Sequence, residues 1–165
     1  MKRLCLYLSI SLASMMLPGF CFSQDDPKPF ILALAQMWVV GGEMGTNLDH
    51  AGEMIAEAAE HGARVVLLPE AMDLGWTYPS ALTRAEPVPE GKAASFLSKA
   101  AIKHGVYVCA GLTEKDGETV YNAAVLINPQ GELILLHRKI NELDIGHPYY
   151  CLLYTSDAAD DAMNV

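Results

Sequence analysis

Two residues of opposite charge stand where strands of this chain should end. In Arg64 to Thr77, RVVLLPEAMDLGWT, an unbroken apolar run reaches Pro69 and then presents one carboxylate, Glu70. In Glu132 to Leu143, ELILLHRKINEL, a second strand follows the turn Asn128-Pro129-Gln130-Gly131 and ends in a cation, Lys139. A carboxylate can take the proton of a thiol nucleophile, and a nearby ammonium lowers its pKa while burial raises it. The ammonium can also stabilise the oxyanion formed when a carbonyl or nitrile carbon is attacked. Taken alone, a Glu just past a strand is more often an ordinary solvated loop residue.

The surrounding elements decide whether the two can meet. Val65, Val66, Leu67 and Leu68 show no polar alternation, as in a strand covered on both faces. Pro69 removes a ladder donor, so Glu70 falls at a carboxyl end of the sheet, where α/β proteins build their sites. An earlier strand is expected over Phe30 to Met37. A helix capped by Thr46 or Asn47 should follow to about His61, with Leu48, Ala51, Ile55, Ala58 and Ala59 on one face and Gly62 as its stop. A second helix is expected over Gly91 to His104, then strands over Val106 to Thr113, Val120 to Ile127 and Glu132 to Lys139, joined by hairpin connections. The order βαβαβββ predicts an α/β fold whose mixed sheet carries helices on one face.

With PEAMDLGWT and HRKINEL both in view, the chain resembles the nitrilase or carbon-nitrogen hydrolase superfamily. The likeness runs from LALAQM through NLDHAGEMIAEAAEHGARVVLLPE, HGVYVCAGLTEKDGETVYNAAVLINPQGE and LLHRK to about Tyr150. It implies an α-β-β-α sandwich of which this chain holds the N-terminal half, leaving an apolar sheet face exposed, and a homo-oligomer at full length. It implies hydrolysis of a non-peptide C–N bond in a small amide or carbamoyl compound through a thioester, without cofactor or metal. Glu70 matches the family's general base and Lys139 its lysine. Glu142 is either the second active-site carboxylate seen in many relatives or a solvated loop residue. Trp76 and Tyr78 either line the pocket or cover the edge of the core. Asn122 is expected to serve hydrogen bonding local to its strand, with a role toward substrate as the lesser alternative.

The nucleophile is missing from this pattern. In the family it follows the lysine at the end of a further strand. Cys5 and Cys21 lie in the N-terminal apolar segment, Cys109 sits in a strand as a small core hydrophobe, and Cys151 follows Lys139 too soon. The chain is therefore expected to be an inactive fragment. An exported, noncatalytic scaffold or binding domain is the alternative, and a nucleotide-binding domain is disfavoured because no phosphate-binding glycine loop occurs.

The 165 residues, 52% hydrophobic, suffice for one cored domain, and a net charge of −9 without a basic stripe argues against nucleic acid. His50, His137 and His147 lack metal-ligand spacing. Residues 1–23, with Lys2 and Arg3 before an apolar run, read as a cleaved signal peptide and so predict export and no membrane span after cleavage, with 24–29 as a linker. The segment 151–165, CLLYTSDAADDAMNV, departs from the family pattern and is expected to be a non-native or disordered tail.

Overall fold

The apolar runs pair into one five-stranded sheet of order β1-β2-β3-β4-β5. The computed structural model describes residues 29–151. The expected signal peptide, most of the linker and the tail beyond Cys151 lie outside them. In chain order the elements are β1 (Ile31–Leu34), α1 (Met44–Glu60), β2 (Ala63–Leu67), α2 (Ala81–Arg84), α3 (Lys92–His104), β3 (Tyr107–Asp116), β4 (Thr119–Ile127) and β5 (Leu133–Arg138). The strands β1, β2 and β3 run parallel, β4 returns antiparallel to β3, and β5 runs antiparallel to β4. The expected mixed sheet is thus present.

The two long helices cover one face of it. Met44, Leu48, Ala51 and Ile55 recur at three- and four-residue spacing along α1, and Ala93, Ala94, Leu97, Ala100 and Ala101 do so along α3. These stripes meet Val66, Leu68, Val108, Ala110, Leu112, Val125 and Ile127 of the sheet in a single core. The helix α3 stops where Gly105 turns left-handed, at φ 67°, and donates its N–H to the Ala101 carbonyl. On the opposite face Leu32, Leu34, Leu67 and Leu135 remain 49%, 65%, 39% and 50% exposed, which is the uncovered apolar surface anticipated above. No helix among the described residues is long and apolar enough to cross a membrane.

Two expectations need correction. The strand β1 is shorter than Phe30 to Met37, because the chain turns as Met37 N–H donates to the Ala35 carbonyl. The helix α1 starts at Met44 without any side-chain cap, so neither Thr46 nor Asn47 caps it. Asn47 is instead buried and long-ranged: its amide donates to the carbonyls of Val40 and Asp73, both at 2.9 Å, and its oxygen accepts from Val40 N–H at 2.8 Å. The short helix α2 was not anticipated.

Tyr150 is buried beside Ala81 and Val120, and the Cys151 N–H donates to the Val120 carbonyl at 2.8 Å, so the first residue of the expected tail is tied to β4. Asn47 joins helix, β1 connection and the loop after β2 in one side chain. Its replacement by Ala removes three hydrogen bonds and strands buried partners, and should cost roughly 2–4 kcal/mol. Urea denaturation checks this, and a loss below about 0.5 kcal/mol would contradict it.

Candidate active site

Glu70 enters the site through a loop pressed against β3. A Cβ placed on Gly111 would lie 2.5 Å from the Glu70 Cα and 2.7 Å from the Ala71 nitrogen, so only glycine permits this approach. The contact is hydrogen-bonded on both sides: Gly111 N–H donates to the Pro69 carbonyl at 3.0 Å and Met72 N–H to the Gly111 carbonyl at 2.9 Å. Ala71 takes φ 45°, in the left-handed region, at full burial. Such a backbone costs a non-glycine residue of order 1–2 kcal/mol and persists where the surroundings dictate it.

Lys139 arrives from just past β5, the edge strand beyond β4. Its N–H donates to the Asn122 carbonyl at 2.8 Å, continuing the β4–β5 ladder by one step. Successive residues of a strand face opposite sides. Arg138 accordingly turns to Glu114 and Asp116, at 2.6 and 2.8 Å, with its guanidinium over Tyr121. Lys139 turns to Glu70.

The two expected residues meet. Lys139 Nζ lies 2.8 Å from Glu70 Oε1 across 69 positions of sequence. Asn122 Nδ2 donates to the same oxygen at 2.6 Å. Among the described residues no hydrogen bond reaches Oε2. Asn122 was expected to serve its own strand, and the structure corrects this by giving its amide to Glu70. A polar residue facing the uncovered side of a strand was the only signal for it.

Glu142 also reaches the cation. Its carboxylate is fully covered and lies 3.5 Å from Lys139 Nζ, an ion pair too long for a good hydrogen bond. The reading of Glu142 as a solvated loop residue is therefore wrong. Trp76 lies with its ring centroid 6.0 Å from Lys139 Nζ, at the outer limit of a cation–π contact. Tyr78 packs its ring on Gly41 instead.

A cavity of about 330 Å³ opens on the uncovered sheet face beside the pair, lined by Leu67, Glu70, Cys109, Asn122, His137 and Lys139 among others. Neither Trp76 nor Tyr78 lines it. Cys109 is half-buried on this face instead of sitting in the core, and burial pushes its thiol up, against the thiolate a nucleophile needs. The described residues hold no cluster of His, Cys, Asp or Glu able to bind a metal.

The charges support one another. Partial burial pushes the Glu70 carboxyl up, but the hydrogen bonds of Lys139 and Asn122 and the lysine charge outweigh it, leaving Glu70 below its ordinary value. Burial lowers Lys139, yet Glu70 and then Glu142 more than compensate and raise it. Glu70 is thus ionised and Lys139 protonated near neutral pH.

A model of the carbon-nitrogen hydrolase family matches residues 31–150. The chain is 39% identical over 102 residues to a nitrilase of Pyrococcus abyssi, covering 60% of this chain and 38% of that protein. It is 37% identical over 120 residues to an omega-amidase of Danio rerio, covering 72% and 43%. The chain therefore spans about two fifths of the length of these relatives. Among solved structures, a nitrilase-superfamily amidase of Nesterenkonia superposes with a TM-score of 0.68 at 21% identity, over 75% of this chain and 49% of that one. A CN-hydrolase superfamily protein of Xanthomonas campestris gives 0.67 at 20%, over 75% and 46%.

Because the Glu70 carboxyl is depressed in the folded state, its pairing stabilises the fold above the ordinary carboxylate midpoint and is lost as pH falls through the lowered one. Lys139→Met removes the largest lowering contribution and leaves the burial. The Glu70 midpoint, followed by carboxyl 13C NMR, should then rise above its parental position; a midpoint that does not move would contradict the pairing.

Proposed function

The chain belongs to the carbon-nitrogen hydrolase family, and from that membership we propose that Glu70 and Lys139 are the general base and the oxyanion-stabilising cation of an amidase-type enzyme. The substrate is a small amide or carbamoyl compound, in keeping with omega-amidases among the relatives at 37% identity and the absence of any demand for a cofactor in this chemistry. The observation that carries the reading is the 2.8 Å contact between two groups 69 positions apart in sequence, both lining one cavity.

The arrangement suits a thioester route. Glu70 has Oε1 occupied by Lys139 and Asn122, so Oε2 is left to accept the proton of a cysteine thiol. The thiolate attacks the carbonyl carbon, and the charge developing on the carbonyl oxygen falls near the Lys139 ammonium. Collapse of the tetrahedral intermediate expels the amine, which takes its proton back from Glu70. Water, deprotonated by the same carboxylate, then cleaves the thioester and frees the thiol. Glu142 holds Lys139 charged throughout, as a positioning residue. The nucleophile in this reading comes from a segment beyond the 165 residues, since Cys109 is raised by burial and Cys151 follows the lysine too closely.

The chain as it stands should accordingly turn over no member of a panel of short aliphatic amides and carbamoyl amines. Turnover abolished by Cys151→Ala would make Cys151 the nucleophile and contradict this reading. In the complete gene product, Glu70→Gln should lower kcat/KM by about 10²–10⁴. An unaltered rate would remove the proposal, and a complete product without any activity would favour a noncatalytic scaffold.

A further inference from the structure

The loop that carries Glu70 holds a second carboxyl for which the hydrolysis has no use. Asp73 is 1% exposed, and burial drives its carboxyl up to about 6 against the lowering bonds it accepts from Thr113 and the local backbone. A carboxyl buried so deeply requires partners, and among the described residues its side-chain partner is one residue of β3. The Thr113 N–H is shared between both oxygens at 3.1 Å, and the Thr113 hydroxyl donates to Oδ1 at 3.2 Å. From the other side, Asn47 Nδ2 donates to the Asp73 carbonyl at 2.9 Å.

The residue that Asp73 grips has a particular neighbour. Thr113 faces Asn122 in the β3–β4 register, and Asn122 is the residue whose amide holds Glu70 Oε1. The contacts close into a circuit: Glu70 to Asn122 through side chains, Asn122 to Thr113 across the ladder, Thr113 to Asp73, and Asp73 back to Glu70 through the left-handed Ala71. Besides the Asp73 leg, the loop backbone is held to β3 by the two bonds at Gly111.

We propose that Asp73 is a positioning residue for Glu70: its carboxyl group pins the loop to Thr113, and the loop in turn sets Glu70 against Asn122 and Lys139. The functional meaning of that placement rests on the reading of Glu70 as a base, whereas the placement itself does not.

The test follows the Glu70 carboxyl carbon by 13C NMR through a pH titration of the full chain, in the parent and in Asp73→Ala, Thr113→Val and Asp73→Asn. In Asp73→Ala the Glu70 midpoint should rise from its depressed position toward the ordinary carboxylate value. Thr113→Val keeps the N–H and loses the hydroxyl, so it should move the midpoint the same way by less. Asp73→Asn retains an accepting oxygen and should stay closest to the parent. An Asp73 that served stability alone would lower the melting temperature and leave the Glu70 midpoint of the folded molecules in place. That outcome in Asp73→Ala, or in Thr113→Val should the alanine variant not fold, overturns the proposal. The titration needs no turnover, so loss of the amidase reading would leave a positive result intact.

Discussion

The strand β3 has a parallel neighbour on one side and an antiparallel neighbour on the other, and the site follows from that change of sense. Its parallel pairing with β2 carries the end of β2 to the level of Gly111, where the missing side chain lets the Glu70 backbone close in. Its antiparallel pairing with β4 sets Asn122 opposite Thr113, and the β4–β5 ladder then brings Lys139 alongside Asn122. An acid from the parallel half and a cation from the antiparallel half thus meet across the change in strand direction. A register slip of one residue in the β3–β4 pairing would turn Asn122 to the helix-covered side, and one in the β4–β5 pairing would do the same to Lys139.

The two faces of the sheet divide the work. The helix face is closed by small and branched residues of α1 and α3 and supplies the rigidity. The other face is apolar along Leu32, Leu34, Leu67 and Leu135 and carries Glu70, Asn122, His137 and Lys139 around one cavity. Polar groups at the rim of an apolar face are partly withdrawn from water, which is why burial and pairing compete on Glu70 and Lys139. Glu142 adds a fully covered carboxylate to the lysine and so favours its charged form.

Much of this was legible in the residue order. The apolar run before Pro69 announced β2 and the exposed carboxylate after it, and the turn residues marked both hairpins. The convergence of Glu70 with Lys139 came from a resemblance spread over the whole domain, since neither residue stands out in isolation. What could not be read is what depends on distant partners. Asn47 looks like a helix cap because its type suits one, yet its amide is spent on Val40 and Asp73. Asn122 looks like strand filler because its target lies 52 positions away. Cys109 looks like core, and its exposure follows from which face of β3 the helices leave open. The start of α1 at Met44 leaves no local signature, because no side chain caps it.

The central claim is that this geometry holds Glu70 ready to deprotonate a thiol that becomes acylated. Intact-protein mass spectrometry of the complete gene product, acid-quenched during turnover of a small amide, tests it most directly. The account predicts an adduct of the substrate's acyl mass on one cysteine in the parent and its loss when Glu70 is replaced by Gln. Hydrolysis that proceeds without any acyl adduct, or an adduct that forms equally fast without the Glu70 carboxylate, would contradict it.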